Sequence, residues 1–297
     1  MKMKINVQYC AEYAGVYEQV LYEGDEVVIA MDEKENHLID LQAPRELPIN
    51  VFAGATGLKV SDKRAEFYLS RYYNGEKFHP HLFVGLYIYG LINDDLGKDI
   101  CIGSAGRFQS PKINEELFGI FDTILLDTGY RGWVSVSFDL DKNITSAKLG
   151  IPSYGLYALL ECRHGTVADF IKNPGEIPHR WCVATLLTRW PWPAMFLTNH
   201  EHKLKPITVL GYTSHFKRHL CLFDDDIKFG VNQFTIDQPD NNIIGVVSAW
   251  SSWSMSEAVK FLHQIYGSLE FPDMQPRFGL RNYIENKWIK VKSLLES

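Results

Sequence analysis

The chain has 297 residues, of which 46% are hydrophobic and 22% charged, a composition that excludes intrinsic disorder and collagen-like repeats. Thirty Lys and Arg against 36 Asp and Glu leave a net charge of −6, so bulk charge gives no argument for a nucleic-acid partner. Length alone predicts one or two domains.

The N-terminus, MKMKINVQY, alternates and lacks the apolar centre of a signal peptide, so cytoplasmic residence is expected. Its runs Lys4 to Tyr9 and Glu26 to Ala30 read as strands. Glu66 to Ser70 and Leu82 to Tyr89 follow, both rich in β-branched and aromatic residues. Between them, Tyr73-Asn74-Gly75-Glu76 is a hairpin signal, because Asn and Gly tolerate positive φ. The apolar run Phe83 to Ile92 falls well short of the roughly 20 residues of a membrane-crossing helix and reads as a buried strand, so no membrane association is expected. Asn93 to Gly97 is a polar loop, and Gly103-Ser104-Ala105-Gly106 reads as a small-residue loop able to approach a ligand.

Asn114 to Asp127 places Leu117, Phe121, Ile124 and Leu125 on one helical face, with Asn114 as candidate N-cap. Gly132 to Phe138 is a strand, and helices are expected over Pro152 to Cys162 and Thr166 to Lys172. Near the C-terminus, the strand Ile243 to Ala249 precedes a helix from Ser254 to Tyr266. Ser254 and Glu257 have capping-box spacing, and Val259, Leu262, Ile265 and Tyr266 form the apolar stripe. Strands and helices occur in both halves with many hairpins, which favours an α+β fold over a doubly wound sheet.

Cys10, Cys101, Cys162, Cys182 and Cys221 are odd in number, and none forms a CxxC pair. Free, mostly buried thiols in a reducing compartment are expected. His79-Pro80-His81 and His200-Glu201-His202 each place two imidazoles at i, i+2, a spacing that one strand face presents together. Solvent-facing histidines are favoured over a metal pair. Arg189-Trp190-Pro191-Trp192-Pro193 has the look of a base-stacking platform but reads better as a rigid exit whose Trp residues pack the core. Asp224-Asp225-Asp226 reads as a polar turn before a strand at Ile227 to Gly230. Asp139 and Asp141 flank Leu140 after a strand, as divalent-cation ligands often do, and the same run also reads as a hairpin turn. Neither a phosphate-binding P-loop nor a GxSxG nucleophile elbow is present.

Several of these segments fall in the order seen in ATP-grasp ligases. Glu66 to Gly75 (EFYLSRYYNG) resembles a strand and hairpin of the grasp, and Asp95 to Gly106 (DLGKDICIGSAG) resembles its Gly-rich loop. Gly129-Tyr130-Arg131-Gly132 is similar to a GYRG turn, and Lys148-Leu149-Gly150-Ile151-Pro152 to an RFGDP segment followed by a helix. Gly245 to Ala249 and Pro272 to Arg277 resemble C-terminal segments. Over about residues 60 to 290 the chain most resembles phosphoribosylamine–glycine ligases, in particular their phage-type relatives.

The resemblance implies an ATP-grasp-like mixed sheet with flanking helices and a C-terminal α/β piece, lacking a full N-terminal Rossmann-like domain. It divides the chain into an N-terminal extension or reduced grasp half (1–60), a core (61–205) and a C-terminal domain (206–297). It implies ATP-dependent carboxylate–amine ligation through an acyl phosphate, with ATP and Mg as cofactors. Lys148 and Arg131 would contact phosphate, and Gly97, Gly103, Ser104, Gly106, Ser146 and Arg277 would bind nucleotide or substrate. The family's magnesium-binding Glu and Asn fall at Ile144 and Ser146, and its motif Asp at Ile151. Retained ligation would need replacement ligands, for which Asp139, Asp141 and Glu161 are nearest. The lost ligands favour a degenerate relative that binds a nucleotide or amino acid without turnover, or a protein partner or second copy, over an active ligase. A non-catalytic nucleotide-binding or protein-assembly module, possibly of a phage, is the alternative.

Overall fold

In a computed structural model of the protein, the described residues are 3–6, 19–23, 26–29, 49, 53, 57–89, 100–109, 115–125, 132–152, 155–162, 180–189, 207–209, 219–222, 225–229, 233–236, 243–270, 274–275 and 279–296. The centre of the fold is an eight-stranded sheet in the order β11-β14-β9-β6-β5-β4-β7-β8. Its strands are β4 (Phe67–Tyr73), β5 (Phe78–Ile88), β6 (Gly103–Gln109), β7 (Gly132–Phe138), β8 (Ile144–Leu149), β9 (Trp181–Thr188), β11 (Leu220–Leu222) and β14 (Ile243–Ser251). Every neighbouring pair is antiparallel, so the expected mixed sheet is corrected to an antiparallel one within an α+β fold. Short hairpins explain part of this, because a tight turn can join only antiparallel strands. The β4–β5 turn is the predicted one: Asn74 Oδ1 accepts from the amides of Glu76 and Lys77, and Gly75 takes φ 98°.

Two smaller antiparallel sheets accompany it. One joins β1 (Met3–Asn6), β2 (Gln19–Glu23) and β3 (Glu26–Ile29). The other has the order β12-β13-β10-β15, from Asp225–Phe229, Gln233–Ile236, Ile207–Val209 and Leu269–Glu270. Asp225 and Asp226 pair with Ile236 and Thr235 within it, so their part of the expected polar turn is strand.

Four helices are described: α1 (Glu115–Leu125), α2 (Gly155–Glu161), α3 (Met255–Gly267) and α4 (Leu280–Glu296). Helix α3 follows its sequence signals closely. Ser254 caps it by accepting from the Glu257 amide, and Val259, Leu262, Ile265 and Tyr266 are buried. Helix α4 was not anticipated, although Leu280, Ile284, Lys287, Trp288 and Val291 form a buried stripe at helical spacing. Strand β9 was not anticipated either. The proposed Asn114 cap, the helix at Thr166 to Lys172, Trp190 to Pro193 and the His200 pair lie outside the described residues.

Strands β11 and β14, from the segment 206–297, sit in the same sheet as strands from 61–205. The core is continuous across it and includes Tyr68, Phe83, Phe108, Trp133, Leu187, Val247 and Leu262. Among the described residues, no helix is long and apolar enough to cross a membrane.

Candidate functional site

Directly opposed residues in an antiparallel sheet share a face. One such row runs Ser146–Ser137–Tyr68–Gly85–Gly106–Cys182–Trp250 across β8, β7, β4, β5, β6, β9 and β14. A second runs Lys148–Ser135–Ser70–Phe83–Phe108, and a third Tyr87–Ser104–Ala184–Ser248. Four of the anticipated residues, Ser104, Gly106, Ser146 and Lys148, therefore share one face. Gly103, opposite Thr185, belongs to the other face.

That face is hydroxyl-rich, and its hydroxyls bond to one another. Tyr68 Oη and Ser104 Oγ are 2.7 Å apart, and Ser70 and Ser135 Oγ 2.6 Å. Ser135 also donates to the Gly150 carbonyl at 2.6 Å, and Tyr87 Oη lies 2.9 Å from Ser137 Oγ. Burial pushes the Tyr68 phenol well above its usual pKa, so it stays neutral.

The expected small-residue loop at Gly103 to Gly106 is thus corrected: it is strand β6. The small residues are there for packing between strands. A Cβ at Gly103 would fall 2.2 Å from the Ala184 carbonyl oxygen, and one at Gly106 2.4 Å from that of Val84. Both positions have a reason to be glycine that involves no ligand.

The three anticipated carboxylates are held separately. Asp139 closes the β7–β8 turn. Its Oδ1 accepts from the amides of Asp141 and Asn143 at 2.8 and 2.9 Å, and its Oδ2 accepts from Asn143 Nδ2 at 3.0 Å. Burial raises its pKa, but hydrogen bonds from Asn143, Ser61 and Asp141 outweigh this and hold it below the usual value. Asp141 is exposed and pairs with Lys63 at 2.6 Å. Glu161, at the end of α2, is buried and accepts from Ser248 Oγ at 2.6 Å, with His219 Nδ1 at 3.1 Å. Among the described residues, no group of three His, Cys, Asp or Glu side chains is arranged to hold a metal.

The two positions where the resemblance expects magnesium ligands are also parted. In a regular strand Ile144 and Ser146 would share a face. Here the register shifts, so that Ile144 lies opposite Phe138 and Ser146 opposite Ser137. Ile144 is fully buried in the apolar core. The described residues do not fit a magnesium site. Arg131, Gly97 and Arg277 lie outside the described residues.

His79 and His81 are buried with ring centroids 5.1 Å apart, which overturns the expectation of solvent-facing rings. Pro80 between them is the exposed residue. Burial, then His81 and Arg71, lower the His79 pKa to about 4.

A second polar cluster escaped the sequence reading. Lys287 of α4 is buried and donates to the Tyr87 carbonyl at 2.6 Å and to Tyr283 Oη at 2.8 Å, and it meets Glu66 Oε2 at 2.5 Å. Arg64 Nε holds the other Glu66 oxygen at 2.8 Å, and its guanidinium lies 4.4 Å from the centre of the Tyr89 ring. Burial lowers the Lys287 pKa while Glu66 opposes it. Its sequence signal was one lysine inside the apolar stripe of α4.

No family model matches the chain, and no curated protein matches it. Among solved structures, an L-amino acid ligase from Bacillus licheniformis superposes with a TM-score of 0.36 and 12% identity, over 72% of this chain. A biotin carboxylase from Campylobacter jejuni gives a TM-score of 0.36 and 10% identity over 80%. The aligned part spans 52% and 50% of those two chains. Likenesses of this size assign no fold.

Proposed function

We propose that the protein is an ATP-grasp-like relative of phosphoribosylamine–glycine ligases that has lost metal-dependent ligation and binds a nucleotide without turnover. The sequence resemblance supplies the family. The observation that carries the loss is strand β8: it offers Ile144 and Ser146 where the ligase needs two magnesium ligands, and it sends them to opposite sides of the sheet. An aliphatic side chain cannot ligate a hard cation, and a neutral hydroxyl replaces carboxylate or amide oxygen poorly. Phosphoryl transfer rests on positioning and charge neutralisation, so a site without its metal lacks its main electrostatic aid. Lys148, half-buried on the same sheet face as Ser146, is the phosphate contact in this reading.

The test is a thermal-shift titration with ATP, ADP and AMP, with and without Mg²⁺. A ligand that binds only the native state raises its melting temperature by mass action. The expected result is an ATP shift that is the same with and without Mg²⁺, is lost in Lys148→Ala, and comes with no amine-dependent ADP release. A shift that requires Mg²⁺, or ADP release on adding an amino acid, would overturn the loss of ligation. No shift with any nucleotide would overturn nucleotide binding itself.

A further inference from the structure

Two thiols lie side by side under α2. Cys162 directly follows the helix, Cys182 is the second residue of β9, and their sulfurs are 2.9 Å apart. That is closer than an ordinary sulfur–sulfur contact, and both side chains are fully buried. The backbone fixes each sulfur from its own side. Cys182 Sγ points at the Gly106 carbonyl at 3.0 Å, and Cys162 Sγ points at the Arg180 carbonyl at 3.2 Å. Neither thiol takes part in the nucleotide reading, and the inference below stands apart from it.

We propose that Cys162 and Cys182 are a redox-convertible pair, which a small peroxide oxidises to a disulfide within the folded protein. One sulfur, as thiolate, attacks a peroxide oxygen. The O–O bond breaks, giving a sulfenic acid and water. The second sulfur then attacks the first, the S–O bond breaks, and the hydroxyl leaves as a second water. Two thiols lose two electrons in all, one peroxide becomes two waters, and the thiol protons leave in them. The bond ties the end of α2, with Glu161 beside Cys162, to the start of β9, an interior strand of the sheet. Closing that loop restricts the unfolded chain and raises the melting temperature. Burial pushes the Cys182 thiol well above its usual pKa, so the reaction is slower than at an exposed thiol and faster at alkaline pH.

The reduced 297-residue chain is treated with excess hydrogen peroxide at mildly alkaline pH, alkylated under denaturing conditions, and mapped by mass spectrometry without reductant. The expected product is a peptide pair linked through Cys162 and Cys182, lighter by two hydrogens and separated by dithiothreitol. The oxidised chain melts at a higher temperature than the reduced one, and the difference disappears in Cys162→Ser and in Cys182→Ser. Full alkylation of both residues after treatment would overturn the proposal, as would a link through any other cysteine. The wild-type map decides the matter even if a variant folds poorly.

Discussion

Two carboxylates, one partly buried and one buried, hold two helices to the sheet by different chemistry. Glu66, just before β4, lies between Arg64 and Lys287, and the latter comes from α4 more than two hundred residues away. Glu161, at the end of α2, has a serine hydroxyl and a histidine ring instead. The first arrangement uses permanent cations and fixes a distant helix by charge. The second uses a hydroxyl and an imidazole, and beside it sits the paired thiol of Cys162. Pairing by charge against a hydroxyl-and-ring contact is the contrast between these two parts of the sheet.

The largest effect is expected where the charge cannot be moved. Breaking a buried ion pair by removing one partner typically costs about 3–5 kcal/mol. Lys287→Met should fall near the lower end of that range, about 3 kcal/mol, because Arg64 still faces Glu66. Glu66→Gln should cost at least as much, since Lys287 then meets neutral oxygens alone, those of Tyr87, Tyr283 and the new amide. Urea unfolding of both single variants and the double variant would check this. The double variant should recover much of the loss, because the residues are directly coupled. Strict additivity would show that the ion pair does not hold α4.

A smaller effect is expected at Glu161. Glu161→Ala removes the acceptor shared by Ser248 and His219 and should cost about 1–3 kcal/mol. Glu161→Gln keeps an acceptor oxygen of the same reach and should cost less than the alanine change in the same unfolding assay. If Gln were as damaging as Ala, the charge itself would be needed there, and the contrast with Glu66 would collapse.

These two clusters also mark how far the sequence could be read. The hairpin at Asn74-Gly75, strand β7 and the capped helix α3 are legible because local chemistry decides each of them. A turn needs positive φ, a strand alternates, and a cap needs a hydroxyl before an apolar stripe. Strand β6 was read as a loop because glycine and serine carry little strand propensity. What fixes it is the close approach of β5 and β9, and local sequence does not show that. The pairing of Glu66 with Lys287 is likewise a fact of three dimensions. For the candidate site, the family resemblance pointed to Ser104, Gly106, Ser146 and Lys148, and the register puts them on one face. The register shift in β8 that parts Ile144 from Ser146 could not be read from the sequence, because a bulge moves residues between faces without leaving a mark of its own.

A pH dependence, absent at neutral pH, sets a third environment beside the other two. His79 is buried beside another imidazole and the Arg71 side chain, and its pKa is lowered from 6.5 to about 4, by burial above all. Between those two values the unfolded chain binds more protons at this site than the folded one. The folded state therefore has its full stability above pH 6.5 and loses part of it as pH falls toward 4. His79→Gln removes the titration and keeps a polar side chain of similar reach. Its melting temperature should fall less steeply than that of the wild type across this window, whatever its stability at neutral pH. Parallel curves for the two proteins would mean that His79 gains its proton as readily folded as unfolded. The strand face around the His79 and His81 rings would then be more open to water than their burial indicates.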